Sequence, residues 1–248
     1  MNRANDPTRD REQLTDPPDD DREPIANPSP YEPDAGGLRQ PEVANGEATM
    51  RFDLSVIASW IEPGSKVLDL GCGEGDLLYQ LKQTKNVEGT GIEMVEAKVL
   101  RGIEKGLTVL QGNITEEVQD YAAGTFDYVI LSQTLQQVYA PAQLLKTLLD
   151  IGHQVVVSFP NFSHWKNRWQ ICWHGRVPIS KQLPFEWYNT PNIRTISIAD
   201  FQRFLKKMGW RIKRETAINT DHHDRYGNVV TFLPNLRATY GIYLLAKR

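Results

Sequence analysis

The run VLDLGCGEG, Val67 to Gly75, constrains this chain more than any other stretch. A short aliphatic segment, KVLDL (66–70), passes without a spacer into three glycines at alternate positions, Gly71, Gly73 and Gly75. The segment reads as a strand covered on both faces, as in a parallel sheet flanked by helices. The glycines allow the backbone that follows to turn with positive φ and to come close to a ligand.

The rest of the chain repeats the strand-then-helix pattern. Helices are expected at 52–61, 76–83 (with Asp76 as N-cap), 95–106, 140–152 and 198–210. Strands are expected at 66–70, 87–93, 107–113, 126–133 and 153–161. This alternation predicts an α/β fold with a mostly parallel sheet, whose ligands bind beyond the carboxyl ends of the strands. The two last strands, 210–216 and 240–247, have no crossover helix between them and are expected as an antiparallel edge pair.

Charge sets the domain limits. The chain carries 28 Lys and Arg against 31 Asp and Glu, a balance that speaks against a nucleic-acid binder. Residues 1–49 hold five arginines, twelve acidic residues and eight of the fifteen prolines. Such a segment buries too little apolar surface to offset its ordering entropy, so it is expected to be a disordered tail. Residues 50–248 are of a size for one domain. No apolar run approaches the ~20 residues of a membrane span. Cys72 and Cys172 have no paired spacing, which predicts a reducing, cytoplasmic setting.

The glycine register narrows the ligand. A dinucleotide fingerprint is G-x-G-x-x-G. Counted from Gly71 the third glycine falls on Asp76, and counted from Gly73 it falls on Leu78. The loop also lacks the Lys-Ser/Thr of a phosphate loop, and Glu74 would repel a pyrophosphate. S-adenosylmethionine, which carries no phosphate, suits it better. Its carboxylate can meet N–H groups at the start of the next helix, and Asp69 can receive its ammonium. Glu93, at the end of the second strand, can accept both ribose hydroxyls. Asn113 can offer its oxygen to the adenine amino group while Ile114 covers the ring. Met94, beside Glu93, and Ser132, closing the fourth strand, complete the expected cofactor set.

VLDLGCGEG, then GIE, then FDYVIL resembles the class I S-adenosylmethionine-dependent methyltransferases, and implies a Rossmann-like sheet of that kind. In that fold Asp is usual where Asn113 stands; the amide keeps an acceptor and loses the charge. RFDLSVIASWIEPGSKVLDLGCGEGDLL, YVILSQTLQQV and FEWYNTPNIRTISIADF together resemble the MetW family of methionine-biosynthesis proteins, over about residues 51–216. That resemblance implies a role beside homoserine O-acyltransferase, with Gln136, Gln137, Trp187, Tyr188, Asn189 and Arg194 as the substrate or partner residues. It names no methyl acceptor. The alternative is a methyltransferase acting on a small metabolite.

The residues leave no catalytic group assigned. SQTLQQV (132–138) contains no His, Asp or Glu, and its glutamines cannot take a proton at neutral pH. His164 is the nearest candidate base and reads more simply as a structural histidine. Trp165, Trp169 and Trp173 share a helical face, which can pack on the domain's own core, meet a partner or cover a substrate. Asp221-His222-His223-Asp224 reads as a solvated loop, and no metal site is expected.

Overall fold

Alternating apolar strands and amphipathic helices give one eight-stranded sheet in a computed structural model that describes residues 50–221 and 224–247. The expected disordered tail and the two central histidines of 221–224 lie outside the described residues. The strands are β1 (Lys66–Leu70), β2 (Glu88–Glu93), β3 (Thr108–Gln111), β4 (Phe126–Ser132), β5 (Gly152–Pro160), β6 (Arg211–Thr220), β7 (Gly227–Val229) and β8 (Tyr240–Ala246). The helices are α1 (Phe52–Trp60), α2 (Asp76–Lys85), α3 (Glu96–Glu104), α4 (Ile114–Glu117), α5 (Pro141–Ile151), α6 (Trp165–His174), α7 (Ile198–Met208) and α8 (Pro234–Arg237). A 3₁₀ turn, Leu135–Gln137, follows β4.

The strand order is β3-β2-β1-β4-β5-β8-β6-β7. Pairings from β3 through β5 are parallel, and those of β8, β6 and β7 are antiparallel. The expected C-terminal antiparallel pair is present, and its arrangement adds detail. β8 runs between β5 and β6, while the three-residue β7 takes the edge. Pairing partners of this kind are set by long-range contact, which no local pattern in 217–239 announces.

The period-2 alternation of the strands divides the core. Leu68, Leu70, Val129, Leu131, Val155 and Val157 face α5 and α7, meeting Leu144, Leu145, Leu148, Phe201 and Leu205. Val67, Tyr128, Ile130 and Val156 face the opposite way, onto Ile57 and Ala58 of α1 and Leu77, Leu78 and Leu81 of α2. Both faces are therefore covered, as the continuous apolar strands require. Ser197 caps α7 by accepting the Asp200 N–H at 3.0 Å. At α2 the cap differs from expectation: Gly75 is the N-cap, with φ +77°, and Asp76 is the first helical residue. The turn needs a left-handed residue there, which Asp76 would adopt only with strain.

A candidate cofactor crevice and its acceptor side

The parallel register brings the ends of β1, β2, β4 and β5 to one side of the sheet. Gly71, Gly73 and Gly75 all have positive φ, at +73°, +59° and +77°. They are bare for two different reasons. A Cβ on Gly71 would lie 2.7 Å from Thr134 Oγ1, and one on Gly75 would strike Leu107 Cδ1. A Cβ on Gly73 would meet nothing within 4 Å. The outer glycines thus fit walls of the protein, while the middle one faces open space. The loop is pinned by Gly71 N–H and Cys72 N–H, which both donate to Ile92 O, at 2.8 and 3.2 Å.

Glu93 closes the loop from the second strand. One carboxylate oxygen accepts Gly73 N–H at 2.9 Å, and the other accepts Met94 N–H at 3.1 Å and Val95 N–H at 3.0 Å. Charge-assisted bonds of this kind fix the carboxylate. Met94 is half exposed beside it. Asp69 is 3% exposed at the end of β1. Burial, reinforced by the Glu93 charge and partly countered by Arg51, pushes its carboxyl up to about 7. The same burial, with the charges of Asp69 and Glu93, raises the Cys72 thiol, so it is no thiolate nucleophile. Cys72 packs instead against Gly91, where a Cβ would collide with its sulfur.

α2 begins beside this loop with no side-chain cap, which leaves its first N–H groups for an anion. Lys105 Nζ ties α3 to the loop through Glu74 O at 2.9 Å and Asp76 at 2.6 Å. Arg101 pairs with the Glu74 side chain. That pairing offsets the Glu74 charge, so the case against a pyrophosphate rests on the glycine register.

Asn113 caps α4, its oxygen accepting Thr115 N–H at 3.0 Å and its nitrogen donating to Glu116 at 3.2 Å. Ile114 follows, partly buried against the core. Ser132 hydrogen-bonds Ser158 across β4 and β5, Oγ to Oγ at 3.0 Å. Sequence reasoning missed the group beside it. Gln133 has φ +54°, unusual for a side-chain-bearing residue, and its amide donates to buried Asp53 at 2.6 Å. Arg51 pairs with the same carboxylate through two bonds, at 3.1 and 2.7 Å. An Arg two residues before an Asp at a helix start was the available signal, but its partner lies eighty positions away.

The two adjacent glutamines separate. Gln136 is 5% exposed and Gln137 is exposed. Gln136 donates to Gln133 O at 2.6 Å and its own carbonyl accepts Arg194 N–H at 3.0 Å. Arg194 also donates to Tyr139 O at 2.6 Å, pinning 187–194 against the turn after β4. Trp187, Tyr188 and Asn189 are exposed there. His164 caps α6, its Nδ1 accepting Lys166 N–H at 3.4 Å. Burial, and then the Lys166 charge, lowers its basicity. Core packing does not claim the tryptophan face: Trp165, Trp169 and Trp173 are exposed, and the last two stack at 5.0 Å.

This architecture is the class I S-adenosylmethionine-dependent methyltransferase fold. A SAM-dependent methyltransferase from Archaeoglobus fulgidus matches with a TM-score of 0.57 at 14% identity, over 79% of this chain and 91% of that one. The chain belongs to the MetW family: the model of methionine biosynthesis protein MetW matches residues 51–245. A bifunctional methionine biosynthesis protein MetXA/MetW from Rhodopirellula baltica is 32% identical over 188 residues, which cover 72% of this chain and 30% of that protein. A ubiquinone biosynthesis O-methyltransferase from Pseudomonas aeruginosa is 34% identical over 116 residues, 42% of this chain and 50% of that enzyme. The chain thus matches half or less of the length of both relatives. Among the described residues no helix is long and apolar enough to cross a membrane, and no three potential metal ligands cluster.

Proposed function

We propose that this chain binds S-adenosylmethionine and acts as an accessory protein that holds and supports a homoserine O-acyltransferase. The cofactor half of the reading is supported by the open space before Gly73, flanked by Glu93, Asp69 and the free start of α2. Glu93 accepts the ribose hydroxyls on its remaining lone pairs, Asn113 and Ile114 border the adenine, and Met94 and Ser132 complete the crevice. An S-adenosylmethionine bound there supplies an activated methyl group.

The observation that carries the accessory half is how the turn after β4 spends its polar groups. Gln133 is committed to Asp53, Gln136 to Gln133 O, and His164 to a helix cap. These groups position backbone and take no proton from an acceptor. In the Rhodopirellula relative the MetXA and MetW names belong to one polypeptide, which supports association with a second methionine-biosynthesis protein. The exposed Trp169–Trp173 stack, beside Lys166 and Arg168, is the surface we assign to that contact, since Trp and Arg are enriched at binding hot spots.

The test is calorimetric titration with S-adenosylmethionine, together with acyl-transfer assays on the enzyme with and without this chain. Saturable binding that Glu93→Ala abolishes, a co-purifying complex and faster acyl transfer are expected. No complex and unchanged acyl transfer would defeat the accessory reading. The match to an O-methyltransferase over 116 residues favours the second reading, methyl transfer to a small metabolite; sustained formation of S-adenosylhomocysteine with metabolite extracts would establish it.

A further inference from the structure

The sheet has two edges, and they are finished differently. On the C-terminal side β7 is three residues long, and the half of β6 that β7 leaves open carries Arg211, Lys213 and Arg214, with a register shift between Ile212 and Arg214. Charge and irregularity of this kind keep other strands off an edge. β3 has neither. Its residues Thr108, Val109, Leu110 and Gln111 hold an unbroken parallel register on β2 and include no charge and no proline. Among the described residues no strand pairs with its outer side, so backbone N–H and C=O groups point outward there without a sheet partner. Thr108, Leu110 and Gln111 are exposed.

α3 flanks this edge. Gly102 seats the helix on Val109, where a Cβ would lie 2.8 Å from Cγ2. One flank of α3 turns to the glycine loop, where Arg101 pairs with Glu74 and Lys105 reaches Glu74 O and Asp76. The helical period then places Glu96, Leu100, Ile103 and Glu104 on the opposite flank, toward the open strand. All four are exposed. Leu100 and Ile103 thus make an apolar centre between two carboxylates on one face of the sheet, and Leu110 is exposed on the other face. This arrangement specifies its occupant. A row of unpaired backbone groups takes an extended strand, and the flanking side chains choose which strand. The leucines and Ile103 select apolar side chains on both of its faces. Glu96 and Glu104 attract basic side chains, and they oppose a second copy of this chain, which would bring the same two carboxylates against them. We propose that the outer edge of β3, with the outer flank of α3, is a docking site for an extended segment of a partner protein, apolar at its centre and basic on either side, which adds a strand to the sheet. None of its residues belongs to the cofactor set or to the tryptophan stack, so the site stands apart from both halves of the functional reading.

Matched short peptides test it on the full chain. Ac-TKVVVKT-NH2 has the apolar centre and the basic flanks; Ac-TEVVVET-NH2 reverses the charges; the first peptide with its valines N-methylated cannot pair as a strand. By ¹H–¹⁵N NMR titration the first is expected to bind saturably, with its largest shifts at the amides of residues 108–111, and about tenfold more tightly than either control. Glu96→Lys combined with Glu104→Lys, both at exposed positions, should reverse the charge preference with little change in Tm, a result that loss of fold cannot produce. Equal affinity for the three peptides, no binding of any at millimolar concentration, or shifts centred away from β3 and α3 overturns the proposal whatever the variants do. So does sedimentation that shows the native chain dimerising at micromolar concentration and Leu100→Lys monomeric, which would give the edge to a second copy. Because these titrations contain neither S-adenosylmethionine nor acyltransferase, their outcome is separate from that of the functional reading.

Discussion

Gly73 and Gly75 share a left-handed backbone and differ in what surrounds them, and that difference can be measured. Alanine at either position carries left-handed strain of about 1 kcal/mol. Gly75→Ala must also displace the buried Leu107 side chain, so it should lose roughly 1 kcal/mol more stability in urea unfolding. Gly73→Ala meets no protein atom; it should keep the fold better and lose more of its affinity for S-adenosylmethionine. Asp69 gives the second residue-scale expectation. The folded chain keeps this proton up to about pH 7, whereas an unfolded chain releases it near pH 4. The folded state therefore binds the extra proton between those limits, and this group's contribution to stability falls as pH rises from about 4 to about 7. Asp69→Asn, which stays neutral, should flatten that slope and raise Tm at pH 8. An ammonium ligand favours the ionised carboxylate, so S-adenosylmethionine should bind more tightly as pH rises through 7, and Asp69→Asn should lose that dependence in calorimetry. The glycine loop and both carboxylates were legible because each follows directly on an apolar strand. The grip of Gln133 on Asp53 was not legible, because it depends on a rotamer and on a partner from another element.

Among the elements, α6 shows where a helical period stops being informative. The spacing of Trp165, Trp169 and Trp173 assigns one face, but period alone is silent on whether that face meets core or solvent. Here it meets solvent: Trp169 and Trp173 are 54% and 72% exposed. Changing both to serine should leave Tm nearly unchanged while weakening capture of the acyltransferase by at least about tenfold, as measured by pull-down at graded concentrations. A large fall in Tm with capture intact would assign the stack to the fold instead. The start of α1 behaves oppositely. Asp53 is buried and bonded to both Arg51 and Gln133. Asp53→Ala leaves a guanidinium and an amide unpartnered, at a cost of about 3 kcal/mol in urea unfolding. That helix was readable from its apolar residues; its polar clasp on the turn after β4 was not.

For the whole molecule, the parallel half of the sheet was foreseeable from strand-helix alternation, and the antiparallel half only as a pair of strands. Their placement follows from which edge each finds, and β8 finds the open edge of β5. Ligand linkage also belongs to this scale. At a concentration of about 100 times Kd, S-adenosylmethionine should stabilise the chain by about 2.7 kcal/mol and raise Tm by several degrees. If it also changes acyltransferase affinity, the acyltransferase must change cofactor affinity by the same factor. Calorimetry on the complex with and without cofactor measures both sides of that equality.

The insertion of β8 between β5 and β6 has a bearing on biogenesis. A ribosome finishes β5 at Pro160 and must translate through Thr239 before the neighbour that covers it begins to emerge. Throughout that interval the nascent chain presents a long, uncharged ribbon of unsatisfied amides, the kind of edge on which chains aggregate. Slow codons or a stall within that window should therefore enrich trigger-factor-type chaperones on the emerging polypeptide.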